Sequence, residues 1–134
     1  MIRAIYGGTN RPHHLRLSRH IALAILTAGL FHWPSYPDLW GTAALACVCM
    51  EGWATADRDI EPSRKPPSWY WLPYGLVLKH RSVWSHGLVI GTVVRLTYGW
   101  WWLLWPLWLV SPPVFWAWCG GAFLNDLGHL LLDL

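Results

Sequence analysis

The chain has 134 residues, 54% of them hydrophobic and only 13% charged, with a formal net charge of +3. A globular domain in water usually carries about 25% charged residues, so this composition, with a mean hydropathy of +0.28, points to an apolar surrounding. The positive balance does not mark a nucleic-acid binder: the basic residues stand beside apolar stretches and form no basic stripe with interleaved aromatics.

Residues 1–19 are polar and basic, with Arg3, Arg11, Arg16, Arg19 and the pair His13-His14. The apolar run that follows reaches about 19 residues when taken from 15 to 33, near the ~20 needed to cross a bilayer. A basic segment before a short apolar run also describes a signal peptide, but no convincing cleavage pattern follows it. The Pro-rich turn Trp33–Asp38 leads into a second apolar stretch, 39–56, interrupted by Glu51. Residues 57–82 form the longest polar loop and hold Asp57, Asp59, Glu61, Arg64, Lys65, Lys79 and Arg81. Inside this loop Ser68–Leu78 is aromatic and apolar, yet too short to span, which suits a membrane interface. The third apolar stretch, 86–110, is interrupted by Arg95, and Ser111-Pro112-Pro113 is a tight turn. The fourth, 114–133, carries Asp126, His129 and Asp133. The 13 Trp residues suit membrane–water boundaries, where the ring and its N–H are both satisfied. Cys47, Cys49 and Cys119 lie inside apolar stretches without paired spacing and read as small buried residues. The expected fold is therefore all-α: one integral membrane bundle of four transmembrane helices, residues 1–134, with an interfacial segment in the 57–82 loop.

Such a bundle places the N-terminus, the 57–82 loop and the C-terminus on one side. Nine of the ten Lys and Arg residues fall there, and the tenth, Arg95, lies within a span. The positive-inside pattern makes that side cytoplasmic, so the expected location is a bacterial inner membrane with both termini in the cytoplasm. The same side collects the metal-binding residue types: His14 before the first span, Asp57 and Asp59 after the second, His80 and His86 before the third, and His129 and Asp133 at the end of the fourth.

His129 and Asp133 stand four apart and share a helix face, with Asp126 on the same stripe. Asp57 and Asp59 end a helix where negative charge is unfavourable and a cation would relieve it. His80 and His86 flank Arg81, Ser82 and Ser85. Neutral imidazole is the commonest metal ligand, though Ser85 also fits a helix cap or a Ser–His nucleophile pair. Glu51, Arg95 and Asp126 lie at a matched depth, roughly 9–14 Å below the loaded face. Isolated charges so placed cost several kcal/mol, so Arg95 is expected to pair with Glu51 or Asp126.

The block Trp69–Tyr98 resembles a bacterial, largely cyanobacterial, family of metal-binding proteins. That family carries W-x-P-Y, then H-R-S-x-x-S-H-G, then G-T-x-x-R. Here these read Trp71-Leu72-Pro73-Tyr74, then His80 to Gly87, then Gly91-Thr92-Val93-Val94-Arg95. His14 to Ser18 resembles the family's N-terminal H-D-R-I-T, with Leu15 where the family has Asp. Asp57-Arg58-Asp59 matches its D-x-D, and His129 to Asp133 its H-x-x-x-D. The order is also similar to the YdjM-type membrane-bound metal-dependent hydrolases.

The ligand set is therefore His14, Asp57, Asp59, His80, His86, His129 and Asp133. Mixed imidazole and carboxylate donors suit Zn²⁺ first, then Mn²⁺ or Fe²⁺. The surplus over four ligands hints at two ions, so one or two are expected. The resemblance implies hydrolysis of a phosphoester or lipid-like substrate. Asp59 and His86 would be ligands or general base, and Arg81 with Lys79 would hold the anionic phosphate. Partners would be the lipid bilayer, a phosphate-containing substrate and an oligomer or larger membrane complex, with no nucleic acid. The rival readings are a non-enzymatic membrane subunit with a structural metal clip or a partner-binding role, and a small transporter or metal sensor.

Overall fold

The computed structural model describes residues 11–54, 69–78 and 82–132, with side chains from His14 onward. Most of these residues are helical, with no strand among them. The helices are α1 (Arg11–His32), α2 (Pro37–Trp53), α3 (Leu72–Val77), α4 (Val83–His86), α5 (Leu88–Val110) and α6 (Pro112–Leu132).

Proline sets several of the boundaries. Pro37 opens α2, where its fixed φ suits the first turn and its missing N–H is not needed, and Asp38 follows at the positive end of the helix dipole. α5 stops before Pro112 and Pro113, with the Ser111 N–H donating to the Leu107 carbonyl at 2.8 Å. The same prolines open α6. Gly87 separates the single turn of α4 from α5, its N–H donating to the Val83 carbonyl at 3.0 Å.

α6 is central and packs against α2, α5 and α1, while α2 also packs against α1 and α4 lies on α5. Small residues allow the α2–α6 approach. Ala43, Ala46 and Ala122 are buried there, and a Cβ added at Gly121 would collide with the Ala43 backbone carbonyl. One end of the bundle is apolar, built on Met50, Trp71, Leu96, Trp100, Leu104 and Trp118. The aromatic segment before α3 is fastened to α5: the Tyr70 hydroxyl donates to the Tyr98 carbonyl at 2.5 Å, and the Tyr98 hydroxyl to the Tyr70 carbonyl at 2.6 Å. Trp71 is fully buried against Gly99.

The membrane expectation is corrected by these helices. Among the described residues none is long and apolar enough to cross a membrane. α1 has the length, but its first half carries Arg11, His13, His14, Arg16, Arg19 and His20. α2 has 17 residues, two of them Asp38 and Glu51; at 1.5 Å per residue that is about 26 Å, short of the ~30 Å hydrocarbon layer. α5 and α6 have the length, yet Trp, Tyr, Thr, Gly and Pro dilute their aliphatic residues, and Arg95, Asn125, Asp126 and His129 interrupt them. Trp and Tyr are amphipathic rather than strongly apolar, so a high aromatic content exaggerated the membrane signal. The four transmembrane spans, the interfacial segment and the multi-pass inner-membrane location are therefore not supported. From the 69–78 segment Trp71 and Tyr74 pack into the helical core instead.

Candidate metal centre

The α1–α2–α6 interface is polar along one stripe. His14 and Ser18 on α1, Cys47 and Glu51 on α2, and Asn125 and His129 on α6 each stand four residues apart, so each pair shares one helix face. All are buried. Ser18 Oγ lies 2.5 Å from Asn125 Oδ1 and 3.0 Å from the His14 carbonyl oxygen. The Cys47 thiol is 3.5 Å from the Ser18 carbonyl oxygen. Burial first, and then the charges of Asp126 and Glu51, push the Cys47 pKa up to about 12. It stays a thiol at neutral pH, and a metal ligand must be the thiolate.

His129 is the centre of the cluster. Its ring stacks on that of His14, with centroids 4.1 Å apart and planes inclined by 28°. The His86 ring approaches from α4 at 6.4 Å. On its other side His129 Nδ1 lies 3.3 Å from Glu51 Oε2. A carboxylate at Nδ1 favours the proton there, which leaves the lone pair on Nε2 and makes that nitrogen the donor to a metal.

A second buried group adjoins the first. Arg95 Nη2 lies 2.6 Å from Asp126 Oδ2, both side chains 1% exposed. The Thr92 hydroxyl donates to the same oxygen at 2.5 Å. The other Arg95 terminal nitrogen, Nη1, donates to the Ser85 carbonyl. Each ion alone would lose several kcal/mol on leaving water, so the two are buried as a pair. Ser85 Oγ is 3.1 Å from His86 Nδ1 and steers that ring. Thr92 also lines an apolar groove of about 980 Å³ between α5 and α6, walled by Leu96, Trp105 and Phe115 among others.

Of the candidate ligands read from sequence, His14, His86 and His129 come together. Asp57, Asp59, His80 and Asp133, and the anion-binding candidate Arg81, lie outside the described residues. Arg95 takes Asp126 as its partner, and Glu51 turns to His129. That role of Glu51 was missed, as were Ser18, Cys47 and Asn125. Its signal was the charge buried in an apolar stretch, but helix depth alone does not separate a guanidinium partner from an imidazole partner.

The donor chemistry, imidazole nitrogen with carboxylate oxygen, fits a divalent cation. Among the described residues no group of three or more His, Cys, Asp or Glu side chains is arranged to hold one. Stacked rings present faces to each other, whereas a metal binds in the ring plane, so the His14–His129 pair is not by itself a coordination shell. The described residues supply an imidazole cluster backed by a carboxylate.

The model of the family described as "Uncharacterized metal-binding protein (DUF2227)" matches residues 13–133. No curated protein and no solved structure matches the chain, so the likeness to YdjM-type hydrolases has no counterpart among the comparisons.

Proposed function

The chain belongs to this metal-binding family, and from that premise we propose that it holds a divalent cation at the buried end where α1, α4 and α6 meet. His14, His86 and His129 are the described donors. The rest of the shell comes from His80, in the stretch leading to α4, from Asp133, next after the end of α6, and from Asp57 and Asp59, in the stretch that follows α2. Zn²⁺ is the first candidate, with Mn²⁺ and Fe²⁺ behind it. The observation that carries this reading is the Glu51–His129 contact at 3.3 Å. Metal-ligating histidines typically donate their second N–H to a carboxylate, which fixes the tautomer and raises the basicity of the ligating nitrogen.

The catalytic form of the reading is hydrolysis of an amphiphilic phosphoester. A bound cation would supply Lewis acidity and a more acidic water. Asp59 and His86 are the candidates for general base, and Arg81 for the phosphate. Thr92 favours an amphiphile: it bonds to Asp126 in the polar core and lines the apolar groove, so a polar head and an apolar chain would find adjoining surroundings.

Zn²⁺ affinity of the purified chain, measured by competition with a chromogenic chelator, tests the first part. The expected result is tight binding that His129→Ala abolishes; equal affinity in the two proteins contradicts it. Turnover of bis(p-nitrophenyl) phosphate with Zn²⁺ or Mn²⁺ tests the second. Tight binding without turnover leaves a structural clip tying α1 to α6.

A further inference from the structure

The buried Gly91-Thr92-x-x-Arg95 segment does more than neutralise Asp126. We propose that Arg95 is the positioning residue that sets the one-turn helix α4 so that His86 is presented to His129. This inference rests on the metal-centre reading above.

α4 has four residues, Val83–His86, held by few hydrogen bonds of its own: the Ser85 and His86 N–H groups both donate to the Ser82 carbonyl, at 3.1 and 2.8 Å, and the Gly87 N–H to the Val83 carbonyl at 3.0 Å. A helix of one turn is not self-sustaining, because ordering the first turn costs more than its hydrogen bonds return. Something outside must hold it. The Ser85 carbonyl lies at the C-terminal end of α4. The Arg95 guanidinium donates to it through Nη1.

The same guanidinium reaches Asp126 through Nη2 at 2.6 Å. Ser85 precedes His86, and Asp126 stands three residues before His129 on the same face of α6. One planar fork therefore ties together the two segments that carry two of the imidazoles, whose rings lie 6.4 Å apart. Thr92 fixes the carboxylate by donating to the oxygen that Arg95 also contacts.

Gly91 makes this approach possible. A Cβ there would lie 2.8 Å from the Ser85 carbonyl oxygen and 3.3 Å from Arg95 Nη1. Any larger residue would push α4 and the guanidinium apart. Lys at position 95 keeps the charge beside Asp126, but a single ammonium lacks the rigid fork that serves both acceptors.

The test is a double-mutant cycle on the full chain, with Zn²⁺ affinity by chelator competition and melting without metal as readouts. Arg95→Lys should fold, melt near the wild type in EDTA, and bind Zn²⁺ about 10–100-fold more weakly, the range seen for supporting residues at metal sites. Arg95→Lys added to His86→Ala should weaken binding no further, because Arg95 acts through His86. Gly91→Ala should copy the Arg95→Lys loss, and it carries the same cycle if Arg95→Lys does not fold. Wild-type affinity in Arg95→Lys, or losses that add in the double variant, overturn the proposal. If the wild type binds no Zn²⁺, the metal reading falls by itself, and positioning is read from imidazole NMR. Arg95→Lys should then shift the His86 ring signals and leave those of His14; unmoved His86 signals overturn it.

Discussion

His129 Nδ1 faces Glu51 Oε2 at 3.3 Å, across the interface between α6 and α2. Glu51 is 4% exposed, and it lies close enough to Cys47 for its charge to disfavour the thiolate. Its carboxylate thus orients the most central imidazole of the cluster from inside the bundle. Glu51→Gln keeps the shape and an acceptor but removes the charge. Zn²⁺ affinity should fall about 10–100-fold, measured by calorimetric titration, and an unchanged affinity would separate Glu51 from the site.

Asp126→Ala leaves the Arg95 guanidinium buried without its counter-ion. Breaking one side of a buried pair costs about 3–5 kcal/mol, whereas replacing both partners by apolar residues is often close to neutral. Arg95→Met/Asp126→Leu should therefore be more stable in urea than Asp126→Ala alone. The reverse order would mean that the pair is not what keeps these charges in the core.

The Cys47 thiol is fully buried, and its pKa is pushed up from 9.0 to about 12. Iodoacetamide at pH 8 should leave it unmodified in the native protein and label it after unfolding. The linkage has a definite sign. Below pH 9 the thiol is protonated in both states and its full contribution to stability is present. As the pH climbs from 9 toward 12 the unfolded thiol ionises and the buried one does not, so that contribution is lost. Denaturation at pH 8 and pH 10.5 should show a smaller decline in Cys47→Ala than in the wild type.

Two neighbouring glycines in α6 offer a paired test of the α2–α6 crossing. Gly121 lies against the Ala43 backbone, whereas a Cβ at Gly120 would meet nothing within 4 Å. Gly121→Ala should destabilise by about 1–3 kcal/mol through overpacking. Gly120→Ala should stabilise by up to about 1 kcal/mol, because alanine is the better helix former. Thermal melting of the two variants checks both, and equal shifts would contradict the close approach.

The helical parts of the chain were legible where apolar runs end in proline, as at Trp33–Asp38 and Ser111–Pro113. The environment of those helices was not. Trp100, Trp101, Trp102, Trp105 and Trp108 in α5 count as apolar in a composition, but an amphipathic ring does not make a span. Within the site, the convergence of His14, His86 and His129 was readable from helix ends falling on one side. The pairing of charges was only half readable. Arg95, with a permanent charge and a fork of donors, demanded a buried carboxylate, and two stood at the right depth. The rotation of the packed helices turns Glu51 toward His129 and leaves Asp126 to Arg95. No spacing along the chain encodes that rotation. The same holds for Gly91, which reads as an ordinary helix glycine until the Ser85 carbonyl is placed against it.

The function proposed for this chain depends on the imidazoles of His14 and His129 belonging to a centre that binds a metal ion. The direct measurement is elemental analysis of the purified protein beside the His14→Ala/His129→Ala variant, both kept free of affinity-tag metal. The wild type should carry a divalent metal in stoichiometric amount and the double variant essentially none. Equal metal content in the two proteins would contradict the account.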